Sequence, residues 1–244
     1  MFSIIIATLN EESTITKTLN SIIAQANLVD KVIVKDARSC DNTADLAKSI
    51  LRPQDIVIVS EDNGLYDAWN QALPYVESKW VIFLGSGDTL TKNALSTYKN
   101  YISNNTCELD FISSRIRKID ANSREKGIYY NSWSWQKFRR YMCTSHVGAI
   151  HNINLFKEEG LFSTDYKICS DYELLLRKGN KLKAGFVDRI QAEMLVGGLS
   201  ESIKAIYETA IIKVKLKTVH PFYAITDFLY ASVKFMVKSL IQST

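Results

Sequence analysis

The sequence is poor in the residues that staple or ligate a chain locally. Its four cysteines, Cys40, Cys107, Cys143 and Cys169, form no C-x-x-C pair, the nearest two lying 26 positions apart. They offer neither a zinc knuckle nor a redox dithiol and are expected to be reduced, mostly buried thiols. There are three histidines. The odd offset between His146 and His151 sends strand residues to opposite faces and His220 is remote from both, which argues against a histidine-rich metal site. A cleavable leader is also missing: the apolar stretch at 2–9 is short, has no basic start and runs into Asn10-Glu11-Glu12, so a cytoplasmic location is expected. Neither G-x-G-x-x-G nor G-x-x-x-x-G-K-[ST] follows the first strand, which disfavours dinucleotide and P-loop enzymes.

What is present is a chain of 244 residues, 46% hydrophobic, long enough to bury a sizeable core. The stretch 2–9 (FSIIIATL) is a β-branched run of strand length. Ile15, Leu19, Ile22 and Ile23 then recur at helical spacing behind two glutamates suited to a helix N-terminus. The same unit recurs with strands at 31–36, 55–60 and 80–85 and helices from about Asp41, Leu65 and Thr91. Four β–α units in succession predict an α/β fold, a mostly parallel sheet flanked by helices on both faces. Ligands of such sheets gather beyond the carboxyl ends of the strands, here Thr8–Glu11, Asp36–Ser39, Ser60–Gly64 and Gly85–Asp88.

Past residue 105 the rhythm breaks. Arg115, Arg117, Lys118, Arg124, Lys126, Lys137, Arg139 and Arg140 are interspersed with Tyr129, Tyr130, Trp133 and Trp135, as in a surface segment. Such a mix suits a sugar or phosphate site or a solvated loop; nucleic acid is not expected as a partner, because the body of the chain carries no basic excess. After Asp171 the pattern predicts a short helix, strands near Gly185–Ile190 and Glu193–Val196, and a turn at Gly197-Gly198.

The formal net charge of +4 comes wholly from residues 202–244, where six lysines face Glu208 and Asp227. Two helices are predicted there, a basic amphipathic appendage (201–244) on a catalytic domain spanning 1–200. In the second helix Asp227, Ala231, Lys234 and Lys238 share one stripe, and Phe222, Ile225, Phe228, Leu229, Phe235, Met236 and Leu240 cover most of the rest. That pattern suits a helix lying in the interface of an anionic membrane, and equally one packed on the domain or on a second copy in a homodimer.

Three aspartates invite chemistry: Asp36 after the second strand, Asp88 after the fourth, and Asp171 at a helix start. Any one alone reads as a cap or turn residue. Asp88, however, follows Gly85-Ser86-Gly87, where missing Cβ atoms let backbone approach a bulky anion, and a carboxylate there suits a hard divalent ion.

The segments SIIIATLNEESTITKTLNSI, VKDARSCDNT, SEDNGLYDAWNQAL, WVIFLGSGD and FKEEGLFSTDYKICSDYELLLR occur in this order, and from residue 2 to about 200 the chain resembles family-2 glycosyltransferases. The resemblance implies a GT-A, Rossmann-like fold whose nucleotide pocket is lined by Thr8, Asn10 and Glu11, with Asp36 hydrogen-bonded to the base. Asp88 would bind the metal, Mg2+ or Mn2+, and Asp171 would be the general base. Asp67 and Asn70, three apart on one helix face, would contact donor or metal shell; His146 and Gly198, in the Gly197-Gly198-Leu199-Ser200 turn, would lie on the acceptor side. Two departures stand out: Gly87 occupies a position where many relatives carry a second aspartate, and Ala37-Arg38-Ser39 replaces a frequent Gly-Gly-Ser.

The reaction implied is inverting transfer of a sugar from a nucleotide-diphosphate donor to a glycan or polyprenyl-linked acceptor, in capsule, O-antigen or exopolysaccharide synthesis, by an enzyme peripheral on the inner face of the membrane. A sugar-nucleotide nucleotidyltransferase is the nearest alternative, but it would carry a glycine-rich, arginine-bearing loop after the first strand. A non-catalytic nucleotide-sugar-binding scaffold is the other, kept open by Gly87.

Overall fold

A computed structural model describes residues 1–198 and 202–242, with backbone alone for 238–242. The chain runs β1 (Phe2–Thr8), α1 (Ile15–Ile23), β2 (Val29–Asp36), α2 (Thr43–Ile50), β3 (Ile56–Val59), α3 (Leu65–Ala72), β4 (Trp80–Gly85), β5 (Thr89–Leu90) and α4 (Ala94–Ser103). It continues with β6 (Phe111–Ile119), β7 (Glu125–Tyr129), α5 (Trp135–Phe138), β8 (Ile150–Asn152), α6 (Ile153–Glu159), α7 (Ser170–Arg177), β9 (Ala184–Leu195), α8 (Ile203–Lys215) and α9 (Pro221–Gln242).

The described strands form one sheet in the order β3-β2-β1-β4-β8-β6-β9-β5, with β7 paired to β6. The first four are parallel, with Thr8 beside Asp36 and Asp36 beside Val59. Beyond β4 the short β8 turns the sheet antiparallel, and β6 and β9 again run parallel. Both faces are covered, which is why β1 and β4 read as near-continuous apolar runs rather than alternating ones. Ile4, Ile6, Val32, Val34 and Leu84 pack with Leu19, Ile22, Leu95 and Tyr98 on one face. Ile5, Ile33, Val81 and Phe83 pack with Tyr66, Trp69, Leu174 and Leu175 on the other.

Several sequence expectations change. The helices expected from Asp41 and Thr91 begin at Thr43 and Ala94; Asp41 stays outside, its Oδ1 accepting the Thr43 N–H at 3.0 Å. The two strands expected near 185–196 are one strand, β9. The supposed surface segment contains β6, whose Phe111, Ile112, Ile116 and Ile119 are buried beside β8 and β9. Three of its cations are paired with acids: Arg115 with Asp188, Arg117 with Glu125 and Glu193, Lys126 with Asp120. The cysteines are free but less buried than expected, Cys40 and Cys107 being exposed and only Cys169 buried.

The C-terminal helices differ most from expectation. α8 contributes Ala205 and Ile212 to the core under the sheet. Asp227, placed by sequence on an outward polar stripe with Lys234 and Lys238, faces inward at 2% exposure. There it accepts hydrogen bonds from Tyr141 Oη at 2.8 Å and Lys213 Nζ at 3.1 Å and is paired with Arg140. The Lys238 side chain lies outside the described residues. No described helix is long and apolar enough to cross a membrane.

Candidate active site

The carboxyl ends of β1 and β2 are tied through Asp36. Its Oδ2 accepts from Thr8 Oγ1 at 3.0 Å and Ser39 Oγ at 2.6 Å, and its Oδ1 accepts from the Ser39 N–H at 2.7 Å. A carboxylate has about four acceptor positions, so roughly one stays open on this fully buried group. Asn10, held at φ +55, accepts the Cys40 N–H on its Oδ1 at 2.9 Å and donates its own N–H to Ser39 Oγ at 2.8 Å. Of the residues expected to line the nucleotide pocket, Thr8 and Asp36 are thus bonded directly and Asn10 joins them through Ser39. Behind them, Lys35 is wholly buried and donates to Asp36 O, Ser60 O and Asp62 Oδ2, a full set of acceptors for an ammonium group.

Asp88 closes a tight turn off β4, its N–H bonded to Gly85 O at 3.2 Å. Oδ2 accepts from the Gly85 N–H at 3.3 Å and Oδ1 from the Leu195 N–H at the end of β9 at 3.1 Å. Gly87 takes φ +95, and a Cβ there would stand 3.1 Å from Leu195 Cδ2. The backbone conformation favours glycine, and a side chain there would need Leu195 to give by a few tenths of an ångström. Burial pushes the Asp88 carboxyl up to about 7; the two N–H groups oppose that rise and the Glu11 carboxylate adds to it. Glu11 accepts from Thr14 Oγ1 at 2.6 Å, and Thr14 Oγ1 lies 2.8 Å from Ser86 Oγ.

Among the described residues neither Asp88 nor Glu11 forms an ion pair, and no three or more His, Cys, Asp or Glu side chains are arranged so that they could hold a metal ion by themselves. A carboxylate held by two backbone N–H groups but by no cation, and disfavoured in its ionised form, with a second carboxylate near by, is a donor set that fits a hard cation completing its shell from other oxygens.

Asp171 is the second residue of α7. Its Oδ1 lies 3.0 Å from Tyr66 Oη, which is also 2.6 Å from Ile168 O. Burial raises its carboxyl to about 6, opposed by its hydrogen bonds from Tyr66 and nearby backbone N–H groups and assisted by the charge of Glu208. Glu208, on α8, accepts the backbone N–H groups of Lys167, Ile168 and Cys169 at 2.9, 2.9 and 3.0 Å. It thereby caps the approach to α7, which has no side-chain cap of its own.

His146 Nδ1 is 3.9 Å from Asp171 Oδ2. The imidazole stacks on Trp69 with ring centroids 4.3 Å apart and lies 5.5 Å from the His151 ring. The two histidines are therefore neighbours rather than on opposite faces. His146 precedes β8 in a loop, so the period-two rule does not reach it. Burial holds His146 far below the usual imidazole range and pushes His151 down to about 3, so both are neutral. Both ring nitrogens of His146 and Nε1 of Trp69 are buried without a hydrogen-bond partner in the described structure.

The remaining expected site residues are engaged locally. Asp67 Oδ2 accepts from Asn63 N and Nδ2 at 2.8 and 3.2 Å, bracing the loop before α3. Asn70 exchanges two bonds with the Phe162 backbone, at 2.8 and 3.1 Å, which uses both ends of its amide. Gly197 has φ +101 and open space around it, as does Gly198; Leu199 and Ser200 lie outside the described residues. Sequence reasoning missed Tyr66, Trp69 and Glu208. The first two were legible only as α3 core positions, and Glu208 gave no signal, since its partners lie some forty residues away.

Residues 3–161 match the family model for glycosyl transferase family 2. A PGL/p-HBAD biosynthesis glycosyltransferase of Mycobacterium bovis (strain BCG / Pasteur 1173P2) is 27% identical over 181 residues, covering 72% of this chain and 69% of the relative. The crystal structure of S. aureus TarS 1-349 in complex with UDP superposes with a TM-score of 0.69 at 19% identity, over 93% of this chain and 69% of that one. The mannosyltransferase PcManGT from Pyrobaculum calidifontis, in complex with GDP-Man and Mn2+, gives 0.63 at 15% identity, over 99% and 78%. The fold is the GT-A fold.

Proposed function

The chain belongs to glycosyl transferase family 2, and on that footing we propose that it moves a sugar from a nucleoside diphosphate to a hydroxyl of a glycan or lipid-linked glycan in surface-glycan synthesis. The observation that supports this reading most is Asp171, hydrogen-bonded at Oδ1 to Tyr66 of α3 at 3.0 Å, with a carboxyl that burial raises to about 6. A general base works best with a pKa near the operating pH, so that it is ionised yet still basic.

Ionised Asp171 takes the proton of the acceptor hydroxyl while that oxygen bonds the anomeric carbon and the bond to the leaving diphosphate oxygen breaks. A single displacement of this kind inverts the anomeric centre. Tyr66 occupies Oδ1, leaving Oδ2, the oxygen toward His146, for the incoming hydroxyl.

Thr8, Asn10, Glu11 and Asp36 border the nucleotide, and Asp88, with Glu11 near, would hold Mg2+ or Mn2+ whose other ligands are diphosphate oxygens and water. A cation bound there supplies compensation for the charge growing on the leaving diphosphate. Neighbours of this fold carry UDP, or GDP-Man with Mn2+, which supports the donor class.

The test is nucleoside diphosphate release from a panel of sugar nucleotides, with a hydroxyl acceptor, in magnesium or manganese and in chelator. Release should need the cation, and Asp171→Asn should slow it at least about a hundredfold, the low end of a general base's share, while donor binding persists. Near-wild-type turnover in Asp171→Asn removes Asp171 from the reaction. Unchanged metal dependence of nucleotide binding in Asp88→Ala removes Asp88 as the ligand.

A further inference from the structure

The C-terminal helices leave two surfaces that the sugar-transfer reading does not use. On α9, Phe222, Ile225, Leu229, Tyr230, Val233 and Met236 are 49–64% exposed. At 100° per residue they share one broad arc, opposite the buried Ala224 and Asp227, and no charged residue falls on it. An apolar groove of about 540 Å3 runs between α8 and α9, over Ala210, Ile211, Ala224 and Phe228. Beside it, at the turn joining the helices, a cleft of about 980 Å3 is lined by Arg139, Arg140, Lys217 and His220 with no acidic side chain.

The fate of the acids decides what covers these surfaces. Glu208 and Asp227 are the only acidic residues after position 201, and both are turned inward, Glu208 to the backbone before α7 and Asp227 to Arg140, Tyr141 and Lys213. Lys204, Lys217 and Lys234 stay exposed, as does Arg139. Among the described residues the outside of this region is therefore apolar and cationic, compensated only at Lys215, which pairs with Asp165. A second copy docked by a two-fold axis would set these cations against themselves, which is unfavourable. An anionic leaflet offers an apolar interior and negative headgroups together.

We propose that the α8–α9 face docks on an anionic phospholipid bilayer, the outward arc of α9 entering the interface and Arg139 and Lys217 meeting headgroup phosphates. The proposal rests on these surfaces and not on the sugar-transfer reading. Full-length protein should float with phosphatidylcholine–phosphatidylglycerol vesicles at low salt, less so at high salt, and weakly with phosphatidylcholine alone. The double variant Arg139→Glu, Lys217→Glu should lower partition about tenfold or more, and Leu229→Glu with Val233→Glu should abolish it. All four side chains are solvent-facing, so the thermal melts of the variants should match the parent's; if the apolar pair fails to fold, the charge pair decides. Absence of flotation, or flotation with neutral and anionic vesicles alike and indifferent to salt, overturns the proposal. So does a dimer in equilibrium sedimentation that Leu229→Glu, Val233→Glu dissociates while the parent ignores vesicles.

Discussion

The strand-end cleft and the junction of α8 with α9 each bury an aspartate, and the two carboxyls move in opposite directions. Asp171 has a phenol and backbone N–H groups for partners and no cation, and burial lifts it to about 6. Asp227 is 2% exposed, yet Arg140, Tyr141 and Lys213 outweigh burial and hold it below the usual carboxylate range. Burial alone makes a carboxylate reluctant to ionise; matched donors reverse the sign. The first arrangement keeps a base in reserve, whereas the second ties α9 to α8 and to the segment after α5.

The sharpest way to break the contrast is to remove the matched acid. Asp227→Ala leaves Lys213, 3% exposed at its side chain, without its counter-ion, and Arg140 without its partner. Breaking a buried pair from one side costs about 3–5 kcal/mol, reduced here because Arg140 is 40% exposed. The midpoint of denaturant unfolding should fall accordingly, and adding Lys213→Met should recover part of the loss. Because the Asp227 carboxyl is lowered on folding, its contribution is present above the ordinary carboxyl pKa and fades as pH falls; the variant's deficit should shrink in acid.

Asp171→Asn should do the reverse. Between the ordinary value of 3.8 and the folded value of about 6, the folded chain keeps a proton that the unfolded chain has released, so stability drops as pH rises through that window. The penalty is complete above about 6. A neutral amide escapes it, and the variant should be more stable than the parent by about 1–3 kcal/mol at pH 8, with the two converging near pH 4. Equal stability at pH 8 would mean that Asp171 is not held against its charge.

This contrast marks what could be read from sequence. The parallel half was legible because strands covered on both faces must be apolar throughout, as β1 and β4 are. β6 was not, since Arg115 and Arg117 suggest solvent until Asp188, Glu125 and Glu193 are brought alongside. β9 was split in two at Gln191-Ala192, a pair that lies buried within one continuous strand. The stripe through Asp227 was seen, but its direction depends on Arg140, 87 residues away. In the same way Asp36, Asp88 and Asp171 stood out as strand-end and helix-start acids, whereas Tyr66 and Glu208, which act on the Asp171 carboxyl, reach it only through the tertiary fold.

Glu208 joins the two regions and gives the smallest effect. It sits on α8 yet caps the turn leading into Asp171, and its charge adds to the rise of that carboxyl. Tyr66 from α3, His146 from the loop before β8 and Cys169 from the same turn also face Asp171; His146 is neutral and Cys169 is a buried thiol pushed well above its ordinary range. Glu208 is therefore the one full charge near Asp171 that a conservative change can delete. In Glu208→Gln the amide oxygen still accepts from the backbone, though its NH2 now faces a donor. The acidic limb of the kcat profile, expected near pH 6 in the parent, should shift to lower pH by a fraction of a unit, and Glu208→Asp should return it toward the parent. If Glu208 only braces the loop, Glu208→Gln lowers the rate at every pH and leaves the limb where it was.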